Sequence, residues 1–283
     1  MTSHDAIASS EQHVAPKEAW DRIAEGYDMY VAPQEVELAN EALTLAGLKP
    51  GELFLDVAAG TGGLGLPAAR LGARVLGTDW APAMIERFTA RAREEGLARV
   101  EGRVMDCHAL ELEDDIFDIT GSLFGVMLVS DQASALREMV RVTKPNGRVL
   151  LIAYADPGEL EFLNIFMSAL KAVVPDFQGL PDDPPPLEFQ VSDPKVLRSR
   201  LADAGLRDVE VHPTAERPAF RSGQEMWNWV YWGNPIGGML VDDLTEEQRE
   251  TMRQTLDGML RDRSHGADLA VLNNPVNIGI GIK

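Results

Sequence analysis

Cysteine is almost missing from this chain: Cys107 stands alone among 283 residues. A single thiol cannot close an intrachain disulfide, and a zinc cage built on several thiolates is excluded. Basic residues are also scarce. Lys and Arg number 26 against 45 Asp and Glu, a net charge of −19, with no dense Lys/Arg run. Such a chain is repelled at long range by polyanions, which makes DNA, RNA and an anionic membrane poor partners. No uninterrupted apolar stretch reaches the roughly 18 residues that would span a bilayer, and Met1 to Gln12 lacks the basic-then-apolar layout of a secretory signal. These absences predict a soluble cytoplasmic protein whose partner is a small molecule, neutral or aromatic, and not a nucleic acid or a membrane.

What is present is concentrated in Phe54-Leu55-Asp56-Val57-Ala58-Ala59-Gly60-Thr61-Gly62-Gly63, followed by Val75-Leu76-Gly77-Thr78-Asp79. The pattern reads as a buried strand, a glycine turn, a helix, and a second strand ending in a carboxylate. Open α/β folds bind nucleotide-like ligands at that edge of a parallel sheet. Gly60-x-Gly62-x-x-Gly65 also matches the dinucleotide fingerprint, a weak signal when it stands alone. In the dinucleotide version the ribose-binding acid lies about 20 residues past the glycines, whereas Asp79 follows Gly65 by 14 positions. Asp56, at the mouth of the loop, would repel a pyrophosphate and suit a cationic amino acid moiety. That favours S-adenosylmethionine (SAM) over a nicotinamide or flavin.

The spacing of Trp20, Ile23, Ala24 and Tyr27 predicts a helix after Pro16, and a second helix is expected over Gln34–Ala46. Strands are expected at Leu53–Val57, Arg74–Thr78, Val100–Met105, Ile116–Ser122 and Gly147–Tyr154. Helices fall between them at Gly63–Leu71, Pro82–Glu95 and Ser134–Val142. The alternation signals an α/β fold, a parallel sheet covered by helices on both faces. Beyond Tyr154 come helices at Glu159–Val174 and Ser192–Ala204, separated by a proline-rich loop, then strands at Val209–His212 and Val276–Ile282. The expected organisation is a disordered tail at 1–15, a helical cap at 16–50, an α/β core at 51–212 plus 276–283, and a helical lid at 213–275.

With motif and order together, the chain resembles the class I SAM-dependent methyltransferases, most closely the ubiquinone/menaquinone-biosynthesis methyltransferase-like group. The resemblance covers residues 16–212 and the final strand. It implies a Rossmann-like, mostly parallel seven-stranded sheet whose last strand runs antiparallel between the fifth and sixth. It also implies that Asp56 to Gly62, with Gly60, cradle the methionine part of SAM, Ala58 standing where the family usually has its first glycine. Asp79 matches the acid that binds the ribose, and Asp106, in Val104-Met105-Asp106-Cys107, the acid beside the adenine. Asp118 to Gly125 matches the family's sheet-centre motif, and Tyr27-Asp28 with Trp20 resemble its N-terminal cap.

The residues themselves leave alternatives open. Asp79 has the short carboxylate a cis-diol needs, or serves as an N-cap for the helix near Pro82. Asp106 holds adenine or is a solvated loop acid, and Trp80 stacks on adenine or anchors the loop. Met84, Cys107 and Leu123 complete the candidate cofactor contacts.

Methyl transfer from a sulfonium is an in-line displacement, so the protein's main task is to hold nucleophile, methyl and sulfur collinear in a dry pocket. Candidate bases are His212, Asp131 and Tyr30. No His/Asp/Glu cluster has clear metal spacing, and metal-independent chemistry is expected. The Asn/Asp-Pro-Pro-Tyr/Phe segment common among macromolecular amino-group methyltransferases is replaced by Ser122-Leu123-Phe124-Gly125. Three of the five tryptophans lie in Met226-Trp227-Asn228-Trp229-Val230-Tyr231-Trp232. Aromatics on both faces of one helix predict that half of them pack the lid and half line a pocket for a flat apolar molecule. Phe124, Met127, Trp227, Tyr231 and Trp232 are the candidate substrate contacts. The expected activity is methyl transfer to C, O or N of a small aromatic or polycyclic metabolite, with S-adenosylhomocysteine as product. The alternatives are a SAM-binding cyclase or regulatory module of the same fold and, less favoured, an NAD(P)-dependent oxidoreductase. A homodimer is a further expectation.

Overall fold

A computed structural model describes residues 15–181 and 183–283; apart from Ala15, the tail expected at 1–15 lies outside the described residues. Strands β1 (Leu53–Val57), β2 (Arg74–Asp79), β3 (Val100–Val104), β4 (Phe117–Leu123), β5 (Thr143–Tyr154), β6 (Arg207–Glu216) and β9 (Asn274–Ile282) form one sheet in the order β3-β2-β1-β4-β5-β9-β6. Only β9 runs antiparallel to its neighbours, β5 and β6. Helices α3 (Gly65–Arg70), α4 (Pro82–Glu94), α5 (Gln132–Val142) and α7 (Pro194–Asp203) cover the sheet. The apolar core runs through both of its faces, with Phe54, Leu55, Ile119, Val149 and Leu150 fully buried.

The last two strands of the sheet extend past their expected ends. β6 continues through Pro213 to Glu216, and β9 starts at Asn274, because Glu216 pairs with Asn274 at the end of the ladder. Proline has no N–H for a central ladder, but β6 is the sheet's edge, where a missing donor costs little.

The cap consists of α1 (Lys17–Tyr30) and α2 (Val36–Leu45). Asp28 pairs with Arg87 and, at 3.1 Å, with Arg91, while Asp21 accepts the Ala83 N–H at 2.9 Å, so α1 is fastened to α4. The lid holds the two-stranded sheet of β7 (Ala219–Phe220) and β8 (Ala270–Val271), with α8 (Gly223–Gly233), α9 (Pro235–Met239) and α10 (Glu246–Ser264). Its apolar core, Trp227, Trp229, Met252, Leu256 and Leu260 among others, is distinct from the sheet's. Helix α6 (Glu161–Val173), just after β5, contributes Phe166, Ala169 and Leu170 to that core and thus packs with the lid. Among the described residues no helix is long and apolar enough to cross a membrane.

Candidate active site

Strand order reverses between β1 and β4, and open α/β sheets bind ligands at the carboxyl ends of the strands flanking such a reversal. Both strands leave the sheet through left-handed backbone at non-glycine residues, Ala58 (φ 53°) and Phe124 (φ 57°). That conformation is uncommon for a side-chain-bearing residue and concentrates at functional sites. It also explains why a glycine suits position 58. The two turns touch closely: a Cβ on Gly125 would lie 2.6 Å from the Ala58 Cβ and carbonyl oxygen. Above them opens a cavity of about 380 Å3, bounded by the cap, the sheet rim and the lid.

Asp56 is 1% exposed and accepts the Gly65 N–H at 2.7 Å. Burial outweighs that bond, and with the nearby Asp79 and Glu35 charges it pushes the carboxyl up to about 8. Asp79 accepts N–H groups from Gly60 and Ala81, each at 2.9 Å, and burial raises it to about 6. It therefore both pins the glycine turn and starts the segment leading to α4, and the carboxylate keeps acceptor capacity for a ribose hydroxyl. Asp106 is exposed, and its Oδ1 accepts the His108 N–H at 2.9 Å and lies 2.6 Å from the ring Nδ1. Burial pushes the Cys107 thiol up to about 12, which makes it an apolar wall atom and not a nucleophile.

Tyr27, Asp56, Ala58, Gly60, Asp79, Trp80, Met84, Asp106, Cys107, Leu123, Phe124 and Met127 thus all line one cavity. Gly62 does not. It holds the turn at φ +100°, where a Cβ would lie 2.7 Å from the side chains of Leu66 and Phe88.

Six expected site residues are elsewhere. His212 lies four residues before the rim on β6, roughly 13 Å back along an extended strand, with its Nε2 3.2 Å from Glu210. Asp131 is exposed and N-caps α5 by accepting the Ser134 N–H. Tyr30 is half-buried and packs against the lid core. Trp227 turns into that core, against Phe166 and Tyr231, with the Arg253 guanidinium 5.7 Å from its ring. Tyr231 reaches Asp242 at 3.4 Å instead. The Trp232 ring fills the space that a side chain at Gly26 would need, docking lid on cap. The aromatic that does line the cavity from α8 is Trp229, beside Phe162 at 5.1 Å.

Three acids and one tyrosine of the cavity escaped the sequence reading. Tyr154 ends β5 and stacks on Phe124 at 4.4 Å, a position the rim rule alone would have flagged. Glu216 ends β6, hidden behind Pro213. Glu35 follows a short 3-10 turn, Ala32–Gln34, and accepts the Tyr27 hydroxyl at 2.6 Å. Burial pushes Glu35 up to about 7, against the Tyr27 bond and the Arg91 charge. Burial and the Glu35 charge push Glu216 up to about 8. Glu188 lines the proline-rich side and burial raises it too.

The sheet is Rossmann-like, with β9 turned antiparallel and an acidic crevice at its rim. Residues 55–151 match the family model described as a methyltransferase domain. Over 226 residues the chain is 29% identical to the demethylmenaquinone methyltransferase of Streptomyces avermitilis, covering 78% of this chain and 90% of that one. It is 42% identical to an uncharacterized protein of Mycobacterium tuberculosis over 113 residues, 40% of this chain; that match spans 41% of the relative's length. The YcgJ protein from Bacillus subtilis superposes with a TM-score of 0.57 at 20% identity, over 87% of this chain and 97% of that one. A phosphoethanolamine N-methyltransferase from Haemonchus contortus, solved with SAM, does so with a TM-score of 0.56 at 18% identity, over 100% of this chain and 60% of that one. Residues 55–151 thus match a methyltransferase domain, and the chain as a whole shares its fold with these solved structures.

Proposed function

We propose that the protein transfers a methyl group from SAM to a small aromatic or polycyclic metabolite, without a metal. The observation that carries this reading is the charge of the cavity. Glu35, Asp56, Asp79, Asp106, Glu188 and Glu216 line it, and none of the described lining residues is Lys or Arg. A pyrophosphate coenzyme would find no cation to balance its charge there and would oppose ionisation of these carboxyls, whereas SAM brings an ammonium, a sulfonium and a diol. The residues suit it at each point. Asp56 and Glu35 face the methionine end, Asp79 the ribose, and Asp106 the adenine. The buried His108 Nε2, which has no hydrogen-bond partner, supplies a further polar contact there. Gly63 gives close backbone approach, since a Cβ on it would overlap the Glu35 carboxylate.

When bound, SAM supplies an electrophilic methyl group on a positively charged sulfur. The chain's own part is to orient and to exclude water. Tyr27, tied to Glu35, covers the crevice from the cap. Phe124 and Tyr154, stacked at the rim, wall the space into which the acceptor enters. Phe162, Phe166, Met127, Phe189, Trp229 and Leu240 make the remainder of that space apolar, which suits a flat ring system.

The test is isothermal titration with SAM, S-adenosylhomocysteine and NADPH, followed by mass spectrometry of aromatic acceptors incubated with SAM. Binding of the first two and a mass gain of one methyl group support the reading. Tight NADPH binding with no heat from SAM refutes it. SAM binding with no S-adenosylhomocysteine released from any acceptor favours the non-transferring alternative.

A further inference from the structure

The acceptor half of the cavity carries more acid than a neutral ring requires. Asp56, Asp79 and Asp106 answer the polar groups of SAM, and Glu35 sits between the two halves. That leaves Glu188 and Glu216 facing the apolar chamber with no Lys or Arg among the described residues lining it. A buried carboxylate is costly unless a cation accompanies it. In the empty chamber burial keeps Glu216 mostly protonated at neutral pH, and a cation able to ionise it has to arrive with the ligand.

Glu216 is 1% exposed, yet the hydrogen bonds it accepts are long. The Tyr154 hydroxyl and the Asn274 Nδ2 each lie 3.4 Å from Oε2, against about 2.7–2.9 Å for a well-made bond to a carboxylate. It stands at the rim because the β6–β9 ladder ends at the Glu216–Asn274 pair, while Tyr154 closes β5 beside it. An independent sign that polar ligand atoms belong in this chamber comes from Trp229. Its ring is 5% exposed and lines the cavity, and its Nε1–H has no partner. The Glu188 Oε2 is likewise buried and unpartnered. Around these groups stand Tyr154, Phe124, Phe162 and Trp229, with centroids 4.4 to 5.6 Å apart along the chain of rings. Aromatic faces attract organic cations. A metal fits less well: among the described residues, the one group converging as metal ligands do is Asp106, Cys107 and His108, outside this chamber.

We propose that the acceptor is an amine on an aromatic skeleton, bound as its ammonium, and that Glu216 holds the nitrogen and takes its proton. This rests on the methyltransferase reading above and names the substrate class of that same site. One N–H proton passes to the Glu216 carboxylate. The freed lone pair on nitrogen bonds to the methyl carbon while the carbon–sulfur bond breaks, its electron pair staying on sulfur. The positive charge thereby moves from sulfur to the methylated nitrogen, and no further reactant is needed.

Tryptamine, tryptophol and indole-3-acetate share one skeleton and differ only in carrying an amine, an alcohol or an acid. Each is titrated into the full-length protein with and without saturating S-adenosylhomocysteine. The amine is expected to bind at least about tenfold tighter than the alcohol, the size of one charge-assisted hydrogen bond, and the acid weakest. Glu216→Gln, which keeps the shape of the side chain, is expected to erase that preference while S-adenosylhomocysteine affinity stays within about twofold. Glu188→Gln serves as the second variant and is expected to reduce the preference. Equal binding of amine and alcohol, no measurable binding of the amine, or a preference that survives in both variants would overturn the proposal. Absence of S-adenosylhomocysteine binding would instead sink the cofactor reading. The amine-to-alcohol ratio on the ligand-free protein still decides the acceptor class in that case.

Discussion

Asp56 offers a direct test of the acidic crevice, because its ionisation is coupled to the arrival of a cation. In the empty cavity burial holds this carboxyl at about 8, with Asp79 and Glu35 as its charged neighbours. Below that value it is mostly protonated, and ionising it costs about 1.4 kcal/mol for each pH unit. A ligand whose ammonium pairs with the carboxylate returns it to the ordinary range near 4 and must meet that cost. Between pH 5 and 7 the ligand's own α-amino group stays mostly charged, since such groups titrate at about 7.7–8.0. Across that window SAM affinity should rise by about 75-fold, close to tenfold per unit. Calorimetry in buffers of different ionisation enthalpy should show close to one proton released per SAM bound at pH 6.5. Asp56→Asn keeps an acceptor for the Gly65 N–H but removes its titration, and should reduce both signals to what Asp79 and Glu35 contribute. The same group acts on stability with a definite sign. Its folded value lies above the unfolded one, so its contribution is complete below about pH 4 and is lost as pH rises through 8. The melting temperature of the ligand-free protein should fall from pH 6 to 8.5, and SAM should recover most of the loss. A pH-independent affinity with no buffer-dependent heat would refute the idea that a buried carboxylate selects the methyl donor by charge.

Three further perturbations follow from the geometry. Asp79→Ala removes two backbone hydrogen bonds and the proposed ribose contact; SAM affinity should drop by about 30- to 150-fold in titration calorimetry, on about 2–3 kcal/mol for a charged acceptor, and an unchanged affinity would move the ribose elsewhere. Gly63→Ala drives a methyl group into the Glu35 carboxylate and should destabilise by about 1–3 kcal/mol in urea unfolding; adding Glu35→Ala should recover much of that cost, and strict additivity would deny the contact. The tryptophans should separate by role: Trp227→Ala, in the lid core, should cost about 3–5 kcal/mol of stability, whereas Trp229→Phe should leave SAM affinity intact and weaken acceptor binding, and the reverse pattern would exchange their assignments.

Local pattern sufficed for the sheet and for most of the proposed SAM half of the site. β1 through β5 lie within a few residues of where alternating apolar runs and glycine turns placed them, because each strand and its following helix are encoded by neighbours in sequence. Asp56, Gly60 and Asp79 share a cavity for the same reason, since every βα turn in such a sheet emerges at one edge. Ala58 carried a hint of its own, although its left-handed backbone shows only in three dimensions.

The proposed acceptor half was decided by tertiary structure. A helical wheel cannot say which face of α8 meets the sheet, and packing gave Trp229 to the cavity, Trp227 to the lid core and Trp232 to Gly26 of the cap. His212 and Glu216 look alike as polar residues near a strand end, yet pairing with β9 carries β6 four residues further and leaves the glutamate at the rim. Glu35, Glu188 and Glu216 come from the cap, the proline-rich loop and an edge strand, far apart in sequence, and their shared burial exists only once those elements close over one another. Charge and periodicity in the chain determined the class of fold and the donor's side of the crevice. Which acids meet the acceptor is a property of long-range packing, where contacts between distant segments set burial and burial sets protonation.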